Sequence, residues 1–232
     1  MAQTISVEIW SDLICPWCWI GKRRFERALA DFPQRERVKV VQRAFRLMPG
    51  LAPQRAQNVL IQRLGSAERV AAMLAHVENE AAGENLEYRL AASFVGDTRD
   101  IHRLVKFAAE KGLQDQAVER FYRAGFTENA ALFERQTQLR LMADIGLDRD
   151  ACAAVLDADA YASAVDEDLR AAQARGGGGG GVPFFLIDGR QAISGAQSAP
   201  TFLAALEQAW QVQPSQREQG STGAVCGPDG CR

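Results

Sequence analysis

The stretch that constrains this chain most is Cys15-Pro16-Trp17-Cys18. Two cysteines separated by two residues can close a short disulfide or offer two thiolates to a metal, and the flanking pattern favours the first. Before the pair, apolar Ile5, Val7 and Ile9 alternate with polar Thr4, Ser6 and Glu8, as in a half-buried strand. After it, Phe25, Ala28, Leu29 and Phe32 recur at i, i+3, i+4 and i+7, the stripe of an amphipathic helix. The pair is thus expected on a strand-to-helix corner, with Cys15 at the helix N-terminus and Cys18 one turn inside. Unpaired N–H groups and the dipole at that end stabilise an anion. Cys15 is therefore expected to be the attacking thiolate, and shielded Cys18 the thiol that resolves a mixed disulfide. Such a corner points to redox chemistry over buried structural cysteines, with zinc as the stronger rival.

The rest of the chain narrows the setting. Its 232 residues can bury a core without disulfides to hold it together. With 27 basic and 29 acidic residues, the formal net charge of −2 leaves no basic footprint for nucleic acid. The N-terminus has no charged region leading into an apolar stretch and cleavage site, and no apolar run approaches the roughly 20 residues of a spanning helix. The expectation is a cytoplasmic protein with neither nucleic-acid nor membrane partners, in a compartment where a C-x-x-C is catalytic, sensing or metal-binding. The remaining cysteines are Cys152, on an apolar helical face where it acts as a small hydrophobe, and Cys226 and Cys231 near the C-terminus.

In chain order, Pro33 and the polar residues after it make a turn into a second strand, Val38 to Phe45, whose apolar content suggests a central position. Strand, helix and strand form a βαβ unit with parallel strands. Met48 to Pro53, with two prolines and a glycine, breaks the pattern, and helical periodicity with little strand character runs from there to Arg175. About six helices are expected, with Ser66 and Asp148 as N-caps and Gly112 and Gly146 as stops. Strands return at Val182 to Ile187 and Gln191 to Ser194 around the turn Asp188-Gly189-Arg190. Ser198 caps a last helix bearing Phe202, Leu206 and Trp210, and Gln213 to Arg232 reads as a tail.

This order, with Cys-Pro-Trp-Cys after the first strand and Val182-Pro183 before the third, resembles the thioredoxin fold as the DsbA-like family builds it. The phrases Asp12 to Gly21, Asp97 to Leu104, Gly181 to Phe185 and Ser194 to Gln197 are similar to the FrnE branch of that family. Cys226-Gly227-Pro228-Asp229-Gly230-Cys231 is similar to a C-terminal cysteine pair of some FrnE-like proteins. The fold class implied is α/β, a thioredoxin fold (βαβ…ββα) with a large α-helical insertion domain. Residues 1–48 and 176–212 would form the thioredoxin-fold domain, 49–175 the insertion and 213–232 the tail. The run Gly176 to Gly181 departs from the varied residues the family carries there.

The resemblance implies a thiol–disulfide oxidoreductase or isomerase with Cys15 nucleophilic, Cys18 resolving and Pro183 in cis opposite them. Substrate, a protein or peptide thiol or disulfide, would lie as an added strand along Val182 and Pro183. Pro16 and Trp17 would contact it, and Trp19 either contacts it or packs in the core. Cys226 and Cys231 form a second candidate redox pair, an internal shuttle to a low-molecular-weight thiol or thioredoxin-type reductant. No cofactor beyond the redox-active disulfide is expected. A zinc site on the four thiolates is disfavoured by the loose spacing of the tail pair. His102 is expected to be packed or solvated. The rival activities are a glutathione-dependent isomerase of the 2-hydroxychromene-2-carboxylate type, whose relatives carry Ser for the first Cys, and a zinc- or partner-binding module.

Overall fold

The computed structural model describes residues 3–175 and 181–212. Strand β1 (Ile5–Ser11) runs into helix α1 (Pro16–Asp31) and returns as β2 (Val38–Ala44). β1 and β2 pair in parallel, from Ile5 opposite Val38 to Ser11 opposite Ala44. There follow β3 (Gln54–Arg55), α2 (Ala56–Leu64), α3 (Ala67–Ala82), β4 (Phe94–Val95) and α4 (Arg99–Glu110). Next come α5 (Gln114–Phe126), α6 (Arg135–Asp144), α7 (Arg149–Asp157) and α8 (Ala162–Ala174). The chain rejoins the sheet with β5 (Phe184–Ile187) and β6 (Gln191–Ser194), and closes on α9 (Ala199–Val212). The main sheet has the order β2-β1-β5-β6, with β5 antiparallel to both neighbours.

Alternation along β1 sorts the layers. Ile5, Val7 and Ile9 pack with Phe25, Phe32, Phe185 and Phe202, the residues that α1, β5 and α9 bring to one face. The rings of Phe25, Phe185 and Phe202 lie 4.5–5.7 Å apart. Burying each such side chain contributes roughly 1.5–3 kcal/mol, so this layer fixes α1, and with it the cysteine corner, on the sheet. Trp10 points the other way, onto Phe184, Leu186 and Ala172 of α8. A separate, larger core fills the helical region around Leu104, Phe121, Tyr122 and Leu141.

Local signals are realised where side chains cap. Ser66 accepts from the Arg69 N–H and Asp148 from the Ala151 N–H. Asp188 and Gly189 take positive φ angles of 54° and 67°, the backbone a tight hairpin needs.

Three features differ from expectation. β2 is an edge strand, not a central one. Its free edge is covered by side chains: the Gln114 carboxamide accepts from the Gln42 N–H and donates to the Gln42 carbonyl (3.1 and 3.0 Å), and the Asp168 carboxylate accepts from the Ala44 N–H at 2.7 Å. Apolar content there reports cover by helices rather than by another strand. The helical segment holds seven helices among the described residues, α2 being the addition. It begins at Ala56, directly after β3, with no side-chain cap, so nothing in the sequence announces it. A two-stranded ladder, β3 with β4, also falls in the stretch read as helical. Two residues per strand carry no readable period.

Candidate active site

The corner places the two cysteines differently. Cys15 is the N-cap of α1 and Pro16 takes its first turn, where the missing N–H is no loss. The Cys15 N–H donates to the Asp12 carbonyl and the Cys18 N–H to the Cys15 carbonyl, each at 3.0 Å. Cys15 is 6% exposed and Cys18 2%. Burial pushes the Cys18 thiol well above its ordinary range, and the neighbouring Cys15 sulfur adds to this.

Side chains from distant segments hold the corner. The Tyr88 hydroxyl donates to the Pro16 carbonyl at 2.7 Å. Fully buried Asp12 accepts from the Leu47 N–H at 2.6 Å, tying the corner to the loop after β2. His102 is buried with Nε2 2.9 Å from the Phe45 carbonyl and 3.7 Å from Asp12 Oδ1, so it packs beneath the corner. Trp19 stacks with Tyr88 and Tyr122 at 5.5 and 5.8 Å, and its Nε1–H donates to Glu119 at 3.0 Å, which makes it a core residue.

From the far end of the chain comes the Val182–Pro183 loop, whose peptide bond is cis. The Cys15 sulfur lies 3.6 Å from the Val182 carbonyl oxygen. Close approach of this loop depends on Gly21, one turn after Cys18. A Cβ there would meet Pro183 Cγ at 2.9 Å and the Ala196 Cα at 3.4 Å. The Pro183 carbonyl in turn accepts from the Gly195 N–H at 2.8 Å.

Cys15, Pro16 and Trp17 open onto a cavity of about 230 Å³ whose opposite wall comes from Leu47, Met48, α2 and α3. Met73 and Val77 of α3 and Leu60 of α2 line it, and Trp17 packs its ring 6.0 Å from that of His76 at the rim. Asp97 fixes the loop that carries Leu47 and Met48: its carboxylate accepts from Arg46, the Gly50 N–H and the Arg99 N–H. These bonds outweigh its burial and hold its carboxyl below the usual range. A more open hollow of about 320 Å³, lined by Asp188, Arg190 and Gln208 among others, lies at the far end of β5 from Pro183 and takes no part in this geometry.

The structure thus brings together Cys15, Pro16, Trp17, Cys18, Val182 and Pro183 across 167 positions of sequence. Cys152 is fully buried in α7, within the helical core. Cys226, Cys231 and most of the run Gly176 to Gly181 lie outside the described residues. Among the described residues no group of three or more His, Cys, Asp or Glu side chains is placed to hold a metal ion. Asp12, Gly21 and Tyr88 went unread as site residues. The first two lie in the motif phrase, while Tyr88 stands between Glu87 and Arg89 with no signal at all.

A four-stranded sheet flanked by α1 and α9, with a cysteine pair at a helix N-terminus facing a cis-proline loop, defines a thioredoxin-fold protein of the dithiol class. The DsbA-like thioredoxin domain model matches residues 6–207, and the chain belongs to that family of thiol–disulfide oxidoreductases. A probable DsbA oxidoreductase from Streptomyces coelicolor is 40% identical, with 98% of each chain covered and a TM-score of 0.88. The fold is also shared by the cytosolic disulfide reductase DsbM of Pseudomonas aeruginosa, at 20% identity, TM-score 0.63 and coverage of 89% of this chain and 98% of that one. A 2-hydroxychromene-2-carboxylate isomerase is 17% identical, with TM-score 0.61 and coverage of 89% and 94%. No curated protein matches the chain. No helix among the described residues is long and apolar enough to cross a membrane.

Proposed function

We propose that the chain is a protein-disulfide reductase or isomerase of the FrnE branch, working through Cys15 and Cys18 in the cytoplasm. The observation that carries this reading is the unequal placement of the two sulfurs: Cys15 caps α1 beside the Val182 carbonyl and opens on the cavity, while Cys18 is sealed one turn deeper. The Cys15 thiolate attacks a substrate disulfide, one Cys15–substrate S–S bond forms, and the other substrate sulfur leaves as a thiolate. Cys18 then gives up its proton and attacks the Cys15 sulfur, releasing the second substrate thiolate and closing the Cys15–Cys18 disulfide. Two electrons have passed to the substrate, and a low-molecular-weight thiol or thioredoxin-type dithiol returns them. In isomerisation the substrate's own thiol attacks the mixed disulfide instead and no net electrons move. Burial disfavours the Cys18 thiolate, which leaves Cys15 as the attacking sulfur.

Pro16 and Trp17, at the cavity mouth, and Val182 with Pro183, beside the sulfur, would contact the substrate chain. Cys226 and Cys231 would relay electrons to the Cys15–Cys18 disulfide from the tail. The test is insulin-disulfide reduction: Cys15→Ser is expected to abolish turnover and Cys18→Ser to accumulate mixed disulfides visible by mass. Retained turnover in Cys15→Ser would sink the reading. Equal reduction potentials with and without residues 213–232 would remove the tail from it.

A further inference from the structure

We propose that Arg24 is a positioning residue for the exchange: through it the C-terminal end of α3 holds the Val182–Pro183 loop where a substrate backbone is taken up beside Cys15. The inference rests on the exchange reading above and adds to it a route by which the helical segment governs polypeptide substrates.

Three observations carry it. Arg24 lies on α1 one turn beyond Gly21, and each of its three guanidinium nitrogens has its own partner. Nη2 donates to Glu80 of α3 at 2.6 Å, Nε to Glu84 in the turn after α3 at 2.7 Å, and Nη1 to the Ala196 carbonyl at 2.7 Å. Next, Ala196 belongs to the loop after β6 that braces Pro183. The neighbouring Gly195 N–H donates to the Pro183 carbonyl at 2.8 Å, and Ala196 and Pro183 both lie over Gly21. The residue before Pro183 supplies the carbonyl 3.6 Å from the Cys15 sulfur. Contacts therefore run without a break from Glu80 and Glu84 to the reacting atom. Finally, the side chains of Arg24 and Glu84 are only 17% and 8% exposed, so salt screens this pairing little. A planar fork aimed at three partners is something a lysine's point charge cannot reproduce. Removing the guanidinium unties Ala196 from α3, while Arg27, 2.9 Å from Glu84, keeps that carboxylate paired.

The test uses the full chain with Cys18→Ser, so that only the first attack is read. A Gly-Ala-Cys-Ala-Gly peptide and 2-mercaptoethanol are each supplied as the mixed disulfide with nitrothiobenzoate. The Cys15 thiolate attacks the peptide or hydroxyethyl sulfur, the old S–S bond breaks, and the coloured thiolate leaves with no net oxidation. The same protein carrying Cys15→Ser as well gives the blank for the other cysteines. Only the peptide has a backbone to lie along Val182, so its rate divided by that of the hydroxyethyl disulfide reads the loop. Arg24→Gln is expected to lower this ratio about tenfold, short of the roughly hundredfold that a 1 Å misplacement can cost. Glu80→Ala with Glu84→Ala, which removes the α3 side alone, should lower it too, and serves should the first variant fold poorly. All three changes together should do no more than Arg24→Gln, because they break one chain of contacts. A ratio unmoved by Arg24→Gln and by the glutamate pair overturns the positioning role while leaving the exchange chemistry standing, even where the melting temperature falls. So do effects that simply multiply in the triple variant. Failure of both disulfides to react with the protein that keeps Arg24 overturns both readings.

Discussion

Cys18 carries a thiol that burial keeps neutral, and this fixes a sign for the pH dependence of the reduced protein. A group whose folded pKa is raised stabilises the fold at pH below its unfolded value, and that stability is lost as pH climbs toward the folded one. For Cys18 the ordinary value is 9.0 and the folded one lies well above it. The melting temperature of the reduced protein is therefore expected to fall above about pH 9, and to fall less in Cys18→Ala. Tyr88 and Tyr122, also raised by burial, set the residual slope in that variant. Thermal melts from pH 7 to 11 under a thiol-free reductant decide it, and parallel curves for the two proteins would refute it. In the proposed exchange, the same desolvation would keep Cys18 silent while Cys15 reacts.

At the scale of elements, α1 is held against three neighbours at once, and Gly21 is where tolerance is least. Replacing it with Ala gains about 1 kcal/mol of helix propensity but forces a methyl to within 2.9 Å of Pro183, and overpacking of that kind typically costs about 1–3 kcal/mol. The expected result for Gly21→Ala is a net loss of stability with a slower first attack, as the Val182 loop shifts from the sulfur. A melt and the nitrothiobenzoate assay check both, and an unchanged rate would mean the loop's position is not critical. The resemblance set Pro183 opposite the cysteines, but that Gly21 is the residue of α1 that meets it was not legible, because that depends on how closely the loop packs on the helix. The corner itself was, since Ile5, Val7 and Ile9 before it and Phe25, Phe32 after it carry both periods locally. α2 escaped because its start at Ala56 has no capping side chain, and Tyr88 because its task is to reach a carbonyl, which any position could supply.

Across the whole molecule, the sheet and the helical segment meet on Asp168 of α8. This carboxylate is 3% exposed, accepts from the Ala44 N–H, and pairs with Arg43 and Lys106, while the Asp168 carbonyl accepts from Trp10 Nε1–H at 2.8 Å. Asp168→Ala would leave half-buried Lys106 and the Ala44 N–H without this partner, while Arg43 keeps Glu8, and such losses run to about 1–3 kcal/mol. A fall of that size in urea unfolding is the expected outcome, with Asp168→Asn recovering part of it through the Ala44 bond. A change below about 1 kcal/mol would show that solvent replaces the contacts. The insertion's existence was readable from the break at Pro49 and Pro53 and from helical stripes beyond. How it docks was not, because Asp168 and Gln114 look like ordinary polar surface residues until the fold brings them to β2.

The covered edge of β2 also bears on assembly. An exposed strand edge offers a row of N–H and C=O groups with which another chain's strand can pair, the route to edge-to-edge association. Here the carboxamide of Gln114 satisfies both backbone groups of Gln42, and Asp168 takes the Ala44 N–H, so the C-terminal part of the β2 edge is closed to a second copy. Strand addition at Gln42 and Ala44 is thereby blocked, and the other edge of the main sheet is β6.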